Sequence, residues 1–437
     1  MGINTIGLLL TFILLIFLIF KGWNIWIISI ISTLFFALTN NLNIEKVIFE
    51  TYSSFFKNFV GDWFLLFILS SIFGKIMEKS GAAVIIAKSL ASKIEEKRAV
   101  LIILIITFIL SYGGINIFVI VFSVYPICLV LFSKLNIPKE VCPGLILAIP
   151  ASITMVVFPG TPSIQNTIPT KYFGTTIYSA PFIGILTSIF IFLCDYYFYS
   201  YVIKKLKKMD KKFILDDGEK LENIDKKNTK LEIILAYIPL LTLLIINYCS
   251  INIISIKSSK FALCIGIGVS IILGLIIYRK NLNLKKDLEI GIKNGIEALF
   301  TTASIISFGG VVSKTTAFKN IIDWTIKIKA SPLTSMFIVI NIICMVTASS
   351  VGGLTIYLEN FSLELLKTGI PVEILHRMSA IASSGLDAMP FASGIIVVNT
   401  IAKTKLKDTY KYIFVSQCIV PMLSYGVACF LYFLKIN

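Results

Sequence analysis

A chain of 437 residues that is 57% hydrophobic and only 15% charged cannot fold as a soluble globular protein, where about half the residues are apolar and about a quarter charged. Its mean hydropathy of +0.89 places it among polytopic membrane proteins. The net charge of +16 does not point to nucleic acid, because the lysines fall in short polar segments between apolar runs, where they read as positive-inside topology signals.

The amino terminus has no basic region and enters an apolar run directly, which predicts a retained first span rather than a cleaved signal peptide. Residues 3–20, 23–38, 59–73, 101–132, 141–158 and 178–202 form the apolar segments of the first half. Each approaches or exceeds the roughly 18–20 residues that cross about 30 Å of hydrocarbon, allowing for tilt and half-helices. Between Lys204 and Lys230 the composition turns charged, too polar to insert and too short for a domain, so this stretch is read as a cytoplasmic linker. The apolar pattern resumes at 231–246, 261–278, 290–312, 333–346, 370–382, 395–401 and 413–434. Lys88, Lys93, Lys97 and Arg98, and later Arg279, Lys280, Lys285 and Lys286, mark two further cytoplasmic turns. The expected organisation is a first transmembrane repeat with N-terminal spans over 1–203, a charged linker over 204–230 and a second repeat over 231–437. The eight cysteines are scattered singly and read as small core residues, with no disulfide framework and no metal site.

One pattern occurs in both halves. Ser111-Tyr112-Gly113-Gly114-Ile115 is followed by Phe158-Pro159-Gly160-Thr161-Pro162-Ser163-Ile164-Gln165-Asn166. Beyond the linker, Ser350-Val351-Gly352-Gly353-Leu354 is followed by Ser384-Gly385-Leu386-Asp387-Ala388-Met389-Pro390. Residues 73–82 can be laid on 308–317, each leading into an amphipathic stretch, with the glycine pair about forty residues later. Unwound backbone at membrane depth is tolerated only where it lines a cavity, so paired interruptions point to a secondary transporter for a small polar solute. Gly74 and Gly309 have the alternative role of letting helices pack closely.

A solute carboxylate or hydroxyl stripped of water needs donors, and half-helix N-termini offer free N–H groups with a favourable dipole. Gly160-Thr161-Pro162 is expected to open such an end, with Thr161 as cap, Pro162 in the first turn and Gly160 giving the backbone room. Gln165 and Asn166 follow one turn on as amide donors and acceptors. In the second half Pro390 is expected to restart a helix through Phe391-Ala392-Ser393-Gly394. Asp387, a carboxylate inside an apolar half, is the candidate for coupling to a proton or cation, with helix capping as its alternative role. Gly113, Gly114, Asn116, Gly352, Gly353, Thr355, Pro390 and Ser393 complete the expected substrate site. Glu359-Asn360 is a weaker candidate, and His376 beside Arg377 is expected at the membrane boundary.

Residues 112–119 with Tyr125-Pro126, then 158–169 and Tyr172-Phe173-Gly174-Thr175, closely resemble the gluconate permease (GntP) family of proton symporters. The likeness extends to Gly74-Lys75-Ile76-Met77-Glu78, Ser80-Gly81-Ala82, and Ser384-Gly385-Leu386-Asp387 with Pro390. The resemblance implies an all-α polytopic fold of two inverted repeats with discontinuous helices and re-entrant hairpins, of the ion-transporter type. It further implies a multi-pass carrier in the cytoplasmic (inner) membrane that takes up gluconate-like sugar acids or related small organic anions with protons, a substrate-bearing domain moving against a scaffold. One departure stands out. Many relatives carry a His-Asn/Ser-Gly run after the Leu-Asp-x-x-Pro element, whereas this chain has Phe391-Ala392-Ser393-Gly394, and Phe391 would favour a less polar or smaller anion.

Other classes lack their signatures. A nucleotide-driven pump needs a Gly-x-x-x-x-Gly-Lys-Ser/Thr loop, and an intramembrane enzyme needs a metal or nucleophile constellation; neither is in the sequence. The remaining alternatives are a channel or a sodium-coupled carrier for another small carboxylate or amino acid. No cofactor and no metal are expected, the coupling ion being a proton with sodium as alternative. The partners are a small organic anion and the bilayer, with a homodimer as a compatible assembly and no nucleic acid.

Overall fold

The computed structural model describes residues 3–82, 85–86, 89, 96–112, 117–161, 163–215, 229–252, 259–320 and 331–435. Among them every regular element is a helix. The first half comprises α1 (Ile3–Phe20), α2 (Ile25–Thr39), α3 (Lys46–Lys79), α4 (Glu96–Tyr112), α5 (Ile117–Leu135), α6 (Lys139–Val157), α7 (Ile164–Phe173) and α8 (Pro181–Lys208). The second half comprises α9 (Lys230–Asn252), α10 (Ser259–Ile277), α11 (Leu284–Ser313), α12 (Pro332–Thr347), α13 (Ser350–Leu366), α14 (Val372–Ala382), α15 (Ser393–Ile401) and α16 (Leu406–Phe433). Among the described residues seven helices, namely α3, α5, α6, α8, α9, α11 and α16, are long and apolar enough to cross a membrane. The protein is therefore a polytopic all-α membrane protein.

Among the described residues the two halves run through the same order: a helical pair, a long helix, four shorter helices and a long closing helix. The packing is reciprocal as well. The pair α1–α2 leans on α11, and α10 of the pair α9–α10 leans on α3. The short helix α7 packs on α13 of the other half, and α15 packs on α5.

The long helices α3 and α11 form the central seam and run antiparallel. Asn281, just before α11, donates from Nδ2 to the Ser80 carbonyl at the far end of α3, 3.4 Å away. A methyl group added at Gly291 would lie 3.0 Å from the Ile72 Cα, one at Gly295 would lie 3.1 Å from the Phe67 carbonyl oxygen, and one at Gly310 would strike the Phe55 ring. These glycines let two backbones meet, and filling the gap would cost about 1–3 kcal/mol each by overpacking. Gly74 has the same role against α5, where a methyl would sit 2.6 Å from the Phe122 carbonyl oxygen; Gly309 does not, having only a distant neighbour.

The interruptions have local causes. After α6 the chain turns extended at Phe158, and Gly160 adopts φ +83°. Ala348 closes α12 in the left-handed region at φ +47°, and Gly385 at φ +137° opens the loop between α14 and α15. The interruption expected at Gly113-Gly114 lies outside the described residues, between the end of α4 and the start of α5. Two differences from the sequence-based expectation follow. The second unwound point is Ala348-Ser349, so Gly352 and Gly353 lie inside the first turn of α13, where Gly353 gives Cys344 its place. The helix α8 also continues to Lys208, carrying regular structure past the expected start of the linker. The amphipathic stretches after α3 and α11 fall largely outside the described residues.

Candidate functional site

The break between α6 and α7 is held from the other half of the chain. Arg377 of α14 is completely buried, and its guanidinium donates to the carbonyls of Val157 (3.1 Å), Ile177 (3.0 Å) and Ser179 (2.9 and 3.0 Å) and to Asn166 Oδ1 (2.9 Å). Asn166 returns the favour through Nδ2, which donates to the carbonyls of Thr161 (2.9 Å) and Ile177 (3.0 Å). The neighbouring His376 pairs with Asn166 Oδ1 through Nε2 at 3.2 Å and with the Thr175 hydroxyl through Nδ1 at 2.7 Å. A buried cation is tolerated only when its donors are satisfied, and the planar five-donor fork of arginine suits a set of diverging carbonyls. Asn166 and Arg377 thus form a strut.

The neighbouring side chain has a different role. Gln165, half-buried, donates from Nε2 to the Ser350 hydroxyl at 3.0 Å, joining the start of α7 to the start of α13 across the two halves. Both helix starts are capped. Ser163 accepts from the Asn166 N–H, and Ser349 accepts from the Gly352 N–H at 3.1 Å. The loop 383–392 meets them there. Asp387 Oδ1 accepts from the Gly385 N–H at 2.9 Å, and the Ser350 hydroxyl and the Ala388 N–H also bear on this carboxylate. Asn341 of α12 fixes the loop, donating to the Ala382 carbonyl and accepting from the Leu386 N–H, both at 3.0 Å. A carboxylate, two hydroxyls, an amide and two helix N-termini therefore converge from both halves, a donor-rich setting suited to an anion beside a titratable acid.

The start of α15 is less occupied. Its first residue Ser393 is half-buried, and the preceding Ala392 provides no side-chain cap. Two cavities flank the other end of this helix. One of about 330 Å³ is lined by Asn24, Glu297, Asn399, Thr400, Lys403 and Lys405, among others. The second, about 90 Å³, lies among Lys75, Glu78, Tyr125, Asn294 and Lys403. The larger falls within the size of small-molecule sites, about 300–1,000 Å³. Neither reaches Gln165 or Asp387.

The structure brings Gln165, Gly352 and Asp387 of the expected set together, with Gly160 and Thr355 half-buried on adjoining turns. Gly113, Gly114, Asn116 and Pro162 lie outside the described residues. The cap of α7 is Ser163 rather than Thr161, whose hydroxyl instead donates to the Phe158 carbonyl at 3.2 Å. Pro390 is buried in the loop, and α15 starts three residues beyond it, at Ser393. Asn166 has its amide spent inside the protein, and His376 is fully buried among protein groups. Phe391 turns away from the junction and stacks on Phe12 of α1, with ring centroids 5.2 Å apart, while Phe12 meets Phe308 edge-on. Glu359 and Asn360 are exposed further along α13. Sequence reasoning missed Arg377 and the capping serines. Arg377 stood out only as a basic residue within an apolar half.

The sequence profile of the family described as GntP family permease matches residues 3–431. A relative from Bacillus subtilis (strain 168), described as an uncharacterized transporter YxjC, is 28% identical over 450 aligned positions that cover 93% of this chain and 94% of that protein.

Proposed function

Since the chain belongs to the GntP permease family, whose members are transporters and not enzymes, we propose that it is a proton-coupled symporter carrying gluconate-like sugar acids or related small organic anions across the cytoplasmic membrane. The observation that carries this reading is the contact of Gln165 with Ser350 beside Asp387, which ties the starts of two half-helices to an acid. The solute would sit against Gly160, Gln165, Gly352, Thr355 and Ser393, with Asp387 exchanging the coupling proton. Asn166 positions the site rather than touching the solute. The lysines lining the larger cavity, Lys403, Lys405 and Lys407, give it the sign that draws an anion from the inner side.

The antiparallel α3–α11 seam and the reciprocal packing support inverted repeats, with α4–α5 and α12–α13 as re-entrant hairpins. Charge agrees with this arrangement: Lys207 at the end of α8 donates to the Leu135 carbonyl at the end of α5, and Lys211 pairs with Glu140 at 2.9 Å, gathering three helix ends at one basic face.

Uptake of labelled gluconate into proteoliposomes under imposed proton or sodium gradients tests the reading. Saturable uptake driven by the proton gradient is expected, and Gln165→Ala should lower it roughly tenfold, the loss of about 1.4 kcal/mol of binding, while the amount of inserted protein stays the same. Unchanged uptake in that variant would remove the site from this position. Flux linear in gluconate concentration would make the protein a channel, and a response to sodium alone would change the coupling ion.

A further inference from the structure

A second membrane-embedded acid lies outside the junction. Asp195 is fully buried midway along α8, about 20 Å from either end at the 1.5 Å rise of an α-helix. Neither carboxylate oxygen has a hydrogen-bond partner. An acid in that position is costly as an ion and tolerable with a proton bound, which makes unpaired intramembrane carboxyls functional far more often than structural.

Its surroundings form a polar track. One turn along α8, Tyr199 lies beside Asp195 and hydrogen-bonds its hydroxyl to that of Ser416 at 2.8 Å. Ser416 accepts from Gln417 Nε2 at 3.3 Å, and both residues are buried. They belong to the π-helical segment Val415–Ile419 within α16. The next residue, Cys418, donates to the Ala388 carbonyl at 3.7 Å and lies beside Asp387. Neighbouring residues of one π-turn therefore meet Tyr199, the neighbour of Asp195, through Ser416 and lie beside Asp387 through Cys418. A second π-helical segment, Pro150–Val157 in α6, also packs on α8. Such insertions concentrate where helices must adjust during function.

None of the charged and titratable groups around Asp195 hydrogen-bonds to its carboxyl. On α8 these are Cys194 and Tyr199. Arg377 of α14 faces α8 at Gly184, about three turns nearer its N-terminal end. Glu140 of α6 sits at the opposite end with Lys211 and Tyr412 of α16, and Arg98 is exposed at the start of α4. None of them makes a hydrogen bond or ion pair with the Asp195 carboxyl.

We propose that Asp195 is a second proton site of the carrier, linked to the Asp387 junction through the π-turn of α16. Binding adds one proton to a carboxylate oxygen from one bulk phase, and opening of the α8–α16 packing returns it to the other. This inference rests on the proton-coupled reading above, and the first arm of its test does not.

Infrared difference spectroscopy of the full-length protein in lipid, without substrate, compares wild type with Asp195→Asn over an acid-to-alkaline titration. Expected is a protonated-carboxyl band in the wild type that the variant lacks and that disappears on alkalinisation. No band difference at any pH, or a band unchanged throughout, would overturn the proposal. In proteoliposomes with gluconate as probe, an inward proton gradient should raise wild-type uptake about tenfold and leave Asp195→Asn unresponsive. A variant with the wild-type gradient response refutes the role of Asp195. Wild-type uptake indifferent to the gradient refutes proton coupling itself, while the infrared arm still decides whether Asp195 exchanges a proton.

Discussion

The two broken helices are secured by different chemistry. At the break between α6 and α7, a buried guanidinium gathers three backbone carbonyls and Asn166, and Ser163 caps the helix that follows. At the break between α14 and α15, a neutral amide, Asn341, makes two contacts, Tyr410 donates to the Ala388 carbonyl at 3.1 Å, and α15 starts behind an alanine. Removing the guanidinium strands several acceptors at once, whereas the second loop depends on a few bonds of ordinary strength. The first break is a fixed platform; the second, with cavities beside the far end of α15, is where movement costs least.

The sharpest way to break this contrast is Arg377→Met, which should destabilise the protein by about 3–5 kcal/mol, because Asn166 and three carbonyls lose their donors in a buried place. Arg377→Lys should fail to restore stability, since one ammonium cannot span that set. Unfolding in detergent, followed thermally or by denaturant, measures both. A smaller effect is expected for Asn341→Leu, about 1–3 kcal/mol, from the Ala382 carbonyl and the Leu386 N–H. A loss as large as that of Arg377→Met would show the two breaks to be equally rigid. The smallest effect belongs to Phe391→His, which installs the histidine that the family resemblance implied for this position. Because Phe391 is committed to Phe12, about 0.5–1.5 kcal/mol of stacking is at stake. A change in gluconate preference without that loss would return position 391 to the solute site.

The elements themselves were largely legible, because apolar runs and their Gly/Pro interruptions report hydrocarbon length and helix ends directly. The breaks before α7 and α15 appear where Pro159-Gly160 and Gly385 announce them. The Gly352-Gly353 pair misled, since close packing on Cys344 requires a glycine as much as an unwound turn does, and Ala348 in a left-handed conformation has no sequence signature. The strut was illegible for another reason: Arg377 and Asn166 are 211 positions apart, and no local pattern encodes that meeting. Asp195 lies within the apolar run 178–202 among tyrosines and phenylalanine, with no neighbouring motif to mark it.

Three of the polar contacts described above draw one residue from either side of the linker: Gln165 with Ser350, Asn166 with Arg377, Tyr199 with Ser416. Produced alone, the N-terminal part would bury carbonyls with no cation to claim them, and the C-terminal part would hold a guanidinium with nothing to bind. Separated, the two fragments would each be unfinished proteins, and covalent continuity guarantees that they are always made in equal numbers and in reach of one another.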